Sequence, residues 1–151
     1  FFICIPYACV FTHHALIYYF PSFKLRKKNT TILTQVSVAI LLLLCLVYYD
    51  KWYTFVNFLY AVILLPIVLK SNIELLQKYF LTFLVMLIPF FIVNGILTGS
   101  FIENEVVWYN NSENLGVRLF TIPIEDTIYA FTLILTNLFL MEFLEKKLFQ
   151  K

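Results

Sequence analysis

TTILTQVSVAILLLLCLVYY, residues 30–49, runs twenty positions without a formal charge. About 20 apolar residues wound as a helix cross the hydrocarbon core of a bilayer. The run is continuous rather than alternating, and this selects a helix over a barrel strand. Phe23-Lys24-Leu25-Arg26-Lys27-Lys28-Asn29 precedes it as a basic connector, and Asp50-Lys51 closes it. The pattern repeats in both directions. Upstream, Phe1 to Phe23 carries no formal charge and has Pro6 near its start. Downstream, Trp52 to Leu69 is a third run, softly broken by Pro66. Lys70 to Lys78 reads as a short polar link. Tyr79 to Ile102 is a fourth run, with Pro89 as a kink and Gly95 and Gly99 near its end. After a polar loop, Thr127 to Phe143 is the last run, and Glu145 to Lys151 is a charged tail. The sequence thus predicts an all-α, polytopic transmembrane helix bundle of about five spans, a single membrane domain over residues 1–151.

Composition agrees. The 151 residues are 62% hydrophobic and 13% charged, against about 45–50% and about 25% in a soluble domain, and the mean hydropathy is +0.86. The chain opens on Phe1 inside an apolar run that lacks the basic start and cleavage site of a secretory signal. It therefore reads as a piece of a longer domain. Cys4, Cys9 and Cys45 form no C-x-x-C pair and read as small buried hydrophobes. Aromatic residues crowd the run ends (Tyr18, Tyr19, Tyr48, Tyr49, Trp52, Tyr53, Trp108, Tyr109), as an interfacial belt does.

Charge then orients the bundle. Alternating the five runs puts Lys24–Lys28, Lys70–Lys78 and the tail on one side, with nine basic residues, and leaves only Lys51 and Arg118 on the other. The positive-inside bias makes the first side cytoplasmic. The loop of residues 103–126 then lies on the non-cytoplasmic face and the C-terminus in the cytoplasm.

That loop opens ENEVVWYNNSENLGVRLFTIPIEDTIYAF, residues 103–131, which holds five of the nine carboxylates. Pro123-Ile124-Glu125-Asp126 falls just where the last apolar run begins. Two readings stand. Proline suits the first turn of a helix and acids there are favoured by its dipole, so the tetrapeptide is a good helix start. Alternatively, a carboxyl at a membrane interface beside a second one resists ionisation, leaving an acid able to give a proton and a carboxylate able to take one. Glu103, one residue past the fourth run, is a candidate helper, whereas Glu105 and Glu113 read as solvated charges. Arg118 reads first as the structural ion-pair partner of one of these acids and second as a substrate contact. Trp108, Tyr109, Phe120 and Tyr129 are either interfacial anchors or an aromatic lining whose ring faces stabilise a cation.

His13 and His14 sit late in the first run with no carboxylate or spaced histidine to complete a metal site, so no metal is expected. No G-x-G-x-x-G or G-x-x-x-x-G-K is present, so no nucleotide cofactor is expected. No basic patch suggests nucleic acid as a partner.

Ordered along about fifty residues are Asn94-Gly95-Ile96-Leu97-Thr98-Gly99, Glu103, Val107-Trp108-Tyr109-Asn110, Leu115-Gly116-Val117-Arg118 and Pro123-Ile124-Glu125-Asp126. This set resembles the small integral-membrane lycopene cyclases, the heterodimeric bacterial type and its fused fungal and archaeal relatives. Their P-x-E-[E/D] element matches Pro123, Glu125 and Asp126. The family carries that element twice, and Phe1 to Phe11 resembles the span after the first copy, with Phe11 over Phe139 and His14 over Glu142. A first copy is therefore expected just before Phe1.

The resemblance implies a lycopene β-cyclase in a bacterial cytoplasmic membrane, making β-ionone rings from the open ends of lycopene by redox-neutral, acid-catalysed cyclisation without a cofactor. It implies Glu125 as proton donor, Asp126 as partner or base and Glu103 as assistant. Trp108, Tyr109, Arg118, Phe120 and Tyr129 line the substrate site. The partners it implies are the carotenoid, membrane lipid, and a second cyclase subunit or a further copy of the chain. Two other functions suit the same residues: a carotenoid 1,2-hydratase-like enzyme, which differs in admitting water to the cation, and a non-catalytic carotenoid-binding membrane subunit.

Overall fold

The computed structural model describes residues 4–100 and 102–149. The expectations for Phe1–Ile3, for the Gln150-Lys151 end of the tail and for the Cys4 side chain lie outside the described residues. Five helices run α1 (Cys4–Tyr19), α2 (Lys27–Val47), α3 (Trp52–Ser71), α4 (Ile73–Leu97) and α5 (Ile124–Phe149). Between α4 and α5 lies a two-stranded antiparallel hairpin, β1 (Arg118–Leu119) and β2 (Ile122–Pro123). The all-α bundle is as the apolar runs predict. Helices α2 to α5 are each long and apolar enough to cross a membrane. Helix α1 is described over 16 residues, which rise only about 24 Å.

Element ends differ from the sequence reading in instructive ways. The polar link at residues 70–78 is almost wholly helical: α3 continues to Ser71 and α4 begins at Ile73. Asn72 alone makes the turn. Its Oδ1 accepts the Leu75 N–H at 3.2 Å, capping α4, while its Nδ2 donates to the Glu142 carboxylate on α5. The charges that suggested a link (Lys70, Glu74, Lys78) sit on helix ends, where long side chains reach out of the apolar layer. Helix α4 stops at Leu97 rather than Ile102. Gly99 takes φ +91°, and the Gly99 and Ser100 N–H groups close back on the Ile96 and Gly95 carbonyls at 3.2 and 2.8 Å. This glycine-dependent cap ends the helix. Pro123 ends β2 instead of opening α5, and α5 absorbs most of the expected tail. Helices α3 and α4 run on through Pro66 and Pro89.

Hydroxyls inside the bundle largely satisfy themselves. Thr34, Thr82, Thr132 and Thr136 each donate to the carbonyl four residues earlier, which keeps a polar atom paired where water is absent. The core joins Val68 of α3, Leu76 and Tyr79 of α4, and Leu135 and Leu138 of α5, all essentially inaccessible. Tyr79 and Phe83 each meet Phe131 edge to face, with centroids 5.0 Å apart in both pairs. The Tyr79 hydroxyl donates to the Phe131 carbonyl at 2.6 Å. Cys9 and Cys45 are free and buried, as small apolar residues. Leu43, Ile63, Ile88 and Leu140 face outward, as a lipid-facing surface requires.

The two ends of the bundle are unlike. At one end the basic connector docks on α4, the Leu25 N–H donating to the Gln77 carbonyl at 2.8 Å and Gln77 Nε2 to the Leu25 carbonyl at 2.7 Å. At the other, the 98–123 segment folds down over the helix ends. Val106 and Val107 N–H both donate to the Leu97 carbonyl at 3.0 Å. Thr121 Oγ1 bonds Thr98 Oγ1 and Ser100 Oγ at 2.6 Å each, fixing the hairpin to the end of α4.

This packing predicts that Leu135→Ala, which empties a fully buried position, lowers stability by about 2 kcal/mol or more. Leu140→Ala, half-exposed on the same helix, changes it by less than about 0.5 kcal/mol. Unfolding midpoints in bicelles read both; equal losses at the two positions contradict the assigned core face.

Candidate active site

Helix α5 begins directly under the folded loop, and its first turn carries Glu125 and Asp126. Acids that serve only to start a helix stay in solvent. Here Glu125 is 0% exposed and Asp126 2%, so helix capping does not account for them. Buried carboxyls need hydrogen-bond partners, and this pair draws them from three other elements.

Glu125 and Asp126 are consecutive, so their side chains leave α5 in different directions. Glu125 Oε1 accepts from Thr54 Oγ1 at 2.6 Å and from the Leu115 N–H at 2.7 Å. Its Oε2 is buried and has no partner among the described residues. Asp126 Oδ1 accepts from the Tyr53 hydroxyl. Its Oδ2 accepts from the Tyr109 hydroxyl at 2.5 Å and from Asn94 Nδ2 at 3.4 Å. The carboxyls make no hydrogen bond to each other among the described residues. They are two neighbouring acids with separate hydrogen-bond partners.

Local folding explains the donors. Tyr53 and Thr54 open α3, and their divergence around its first turn sends one hydroxyl to each acid. Free N–H groups at the start of α3 would otherwise lack partners. The loop supplies them: the Tyr53 N–H donates to the Glu113 carbonyl at 3.1 Å and the Trp52 N–H to Glu113 Oε2 at 3.3 Å. Lys51 Nζ adds a bond to the Ser112 carbonyl at 2.9 Å. Asn114, 2% exposed, then turns the chain by accepting the Gly116 N–H at 2.8 Å, with Gly116 at φ +71°. That turn presents the Leu115 N–H to Glu125. Burial, and then the hydrogen bond to Asp126, push the Tyr109 hydroxyl above the usual tyrosine range. It therefore remains a donor throughout the neutral range.

Beside the acids, between α3 and α5, lies an open and mainly apolar hollow of about 650 Å³, lined by Trp52, Tyr53, Val56, Asn57, Glu113 and Tyr129. Deeper along the two helices, Tyr60 and Thr136 join hydroxyl to hydroxyl at 2.7 Å and close the seam. Tyr53 belongs to both the hollow and the hydrogen-bond network of Asp126.

The other sequence-predicted residues separate. Tyr109 is in the network, and Tyr129 lines the hollow. Glu103 is exposed and, with Gly99, Ile102, Asn104 and Glu105, lines a separate polar cleft of about 370 Å³. It has no bond to Glu125 or Asp126 among the described residues. Trp108 is 73% exposed and Phe120 92%. Phe120 sits at the hairpin turn with φ 57°, which carries its ring away from the acids. Among the described residues, Arg118 forms no ion pair with an acid, unlike the expectation. It donates to the Thr121 carbonyl and to Asn111 Oδ1, both at 2.7 Å, and lies 5.9 Å from the Tyr109 ring centre. Its role is to hold the hairpin and the ring that donates to Asp126. Sequence reading missed Thr54 and the Leu115 N–H as partners of the acids. It placed Tyr53 in the interfacial belt and took Asn94 only as part of a motif.

A family model described as lycopene cyclase matches residues 50–144, which takes in α3, α4, the loop and most of α5. No curated protein and no solved structure matches the chain significantly. With the match covering well over half of its length and every element that builds the acid site, the chain belongs to the lycopene cyclase family.

Proposed function

We propose that the protein is a lycopene β-cyclase that closes the open ends of lycopene into β-ionone rings, with Glu125 as the proton donor and Asp126 as the base. The observation that carries this reading is a carboxyl pair withdrawn from solvent, one oxygen of which has no partner among the described residues, beside a mainly apolar hollow in a membrane bundle. A lipid-soluble hydrocarbon needs a site reached through the bilayer. Intramembrane acids are also rare unless they serve chemistry.

The two acids suit opposite halves of the reaction. We take Oε2 of Glu125, which has no partner among the described residues, as the source of the proton that adds to the terminal double bond, producing a tertiary cation. The next double bond of the polyene attacks and closes a six-membered ring. Loss of a ring proton then forms the ring double bond. Asp126, on which three donors converge, is arranged as an acceptor-only carboxylate and serves as base. Trp52, Tyr53 and Tyr129 are the aromatic residues of the lining, the residue type whose rings stabilise a cation. The sum is an isomerisation with no change of oxidation state, so its stoichiometry calls for no redox cofactor. The mainly apolar lining disfavours water near the cation, which supports ring closure over hydration. We place the loop on the non-cytoplasmic face of a bacterial cytoplasmic membrane from the distribution of basic residues. A second subunit or a further copy of the chain is the expected protein partner.

Glu125→Gln keeps an oxygen for Thr54 and the Leu115 N–H but has no proton of carboxylic acidity. In the full-length protein in lycopene-loaded membranes it is expected to lower β-carotene formation by about 10²-fold or more, with membrane insertion unchanged. Full activity in that variant removes the assigned role, and a hydroxylated acyclic product favours the hydratase reading. For orientation, a cysteine at the exposed Asn104 should react with a membrane-impermeant maleimide added to intact cells, and a C-terminal fluorescent fusion should mature inside. Labelling only after lysis reverses the topology.

A further inference from the structure

Glu125 and Asp126 lie behind the surface of the hollow: neither belongs to its lining, and both are essentially inaccessible. A base that removes a proton from a bound ring must reach it. Tyr53 spans the gap: it belongs to the lining of the hollow, and its hydroxyl is bonded to Asp126 Oδ1. Tyr109 bonds the other oxygen but takes no part in the lining, so the two tyrosines have different access to a substrate. The Tyr53 backbone is fixed by its N–H bond to the Glu113 carbonyl at 3.1 Å, and its ring lies 5.8 Å from that of Tyr109, so the hydroxyl has little freedom to swing away. Alternatives elsewhere are weaker. His13 is buried against Thr82, and its Nε2 has no partner among the described residues, which hold no cluster that would make it a ligand. The cleft at Glu103 is only an open cluster of acids.

We infer that Tyr53 is a catalytic residue that relays the departing ring proton from the hollow to Asp126. The inference rests on the reading of the site given above. In the step, the ring C–H bond breaks and its electron pair becomes the ring double bond, cancelling the cation. The proton passes to Tyr53 Oη as the proton already on that oxygen moves to Asp126 Oδ1. Tyr53 is unchanged by the exchange, and Asp126 gains the one proton that Glu125 gave at the start. Its return to Glu125 restores both acids.

The test uses the full-length protein in membranes and lycopene deuterated at the ring carbon that loses its proton. Tyr53→Phe preserves the ring and deletes the relay. Product formation should fall at least about tenfold, and the substrate isotope effect should rise as deprotonation becomes rate-limiting. A Tyr53→Phe rate within about twofold of the parent overturns the inference. So does a slow variant whose isotope effect is unchanged, since that describes positioning alone. Fluorotyrosine at position 53 guards against misfolding: it keeps the hydrogen bond and alters phenol acidity, so rate and isotope effect should both shift, and their constancy overturns the relay. If Glu125→Gln is inactive while Tyr53→Phe is unaffected, only the relay falls. If Glu125→Gln is active, the cyclase mechanism itself falls.

Discussion

An acidic side chain inside an apolar bundle survives only where donors surround it, because moving an unpaired carboxylate out of water costs several kcal/mol or more. Asp126 meets that requirement with one hydroxyl from the start of α3, one from the loop and an amide from the end of α4. A single carboxyl thus binds three other parts of the chain to α5. Glu125, one residue earlier, adds Thr54 and the backbone at Leu115. The fit of this end of the bundle follows from satisfying two acids at once.

The same requirement explains why the loop is folded rather than solvated. Residues 102–123 form short, irregular pieces, yet the segment is pinned at Leu97, Thr98, Glu113 and Thr121. Each anchor fills a backbone or hydroxyl group left open at a helix end. The hairpin directs the chain into α5, with the Ile124 N–H donating to the Val117 carbonyl at 3.1 Å. Arg118, far from pairing with an acid, spends its donors on keeping that hairpin closed. Positioning Tyr109 and Leu115 is what the loop contributes to the acids.

The helices were legible in the sequence because their signal is additive: twenty uncharged residues define a span whatever their neighbours are. Their ends were less so. Lys70, Glu74 and Lys78 looked like a link since charge on a helix end and charge in a loop are alike in one dimension, and Asn72 was the real turn. The acids stood out as costly residues at the head of an apolar run. Their partners did not, because a tyrosine that anchors in the interface and one that donates to a buried carboxylate have the same local sequence. Only the parallel placement of α3 beside α5 separates the two cases. Glu103 shows the converse error: nearness to a helix end suggested a shared cavity, but the glycine cap at Gly99 turns that segment toward a different cleft.

Chemistry supplies a reason for keeping the acids apart in their partners while adjacent in the chain. A carboxyl pair carrying one proton already offers a donor and an acceptor, and here the two acids also differ in surroundings: Glu125 holds two donors on one oxygen, while Asp126 takes three across both. Setting both behind the wall of the hollow keeps their polarity away from a hydrocarbon that must bind before it reacts. A carbocation is captured by a carboxylate or water in contact with it; holding Glu125 and Asp126 off the wall leaves Glu113 as the carboxylate among the lining residues, beside Trp52, Tyr53 and Tyr129. Under this reading, burial of the acids serves product identity as well as proton supply, and the tyrosine on the wall is the point where the two demands meet.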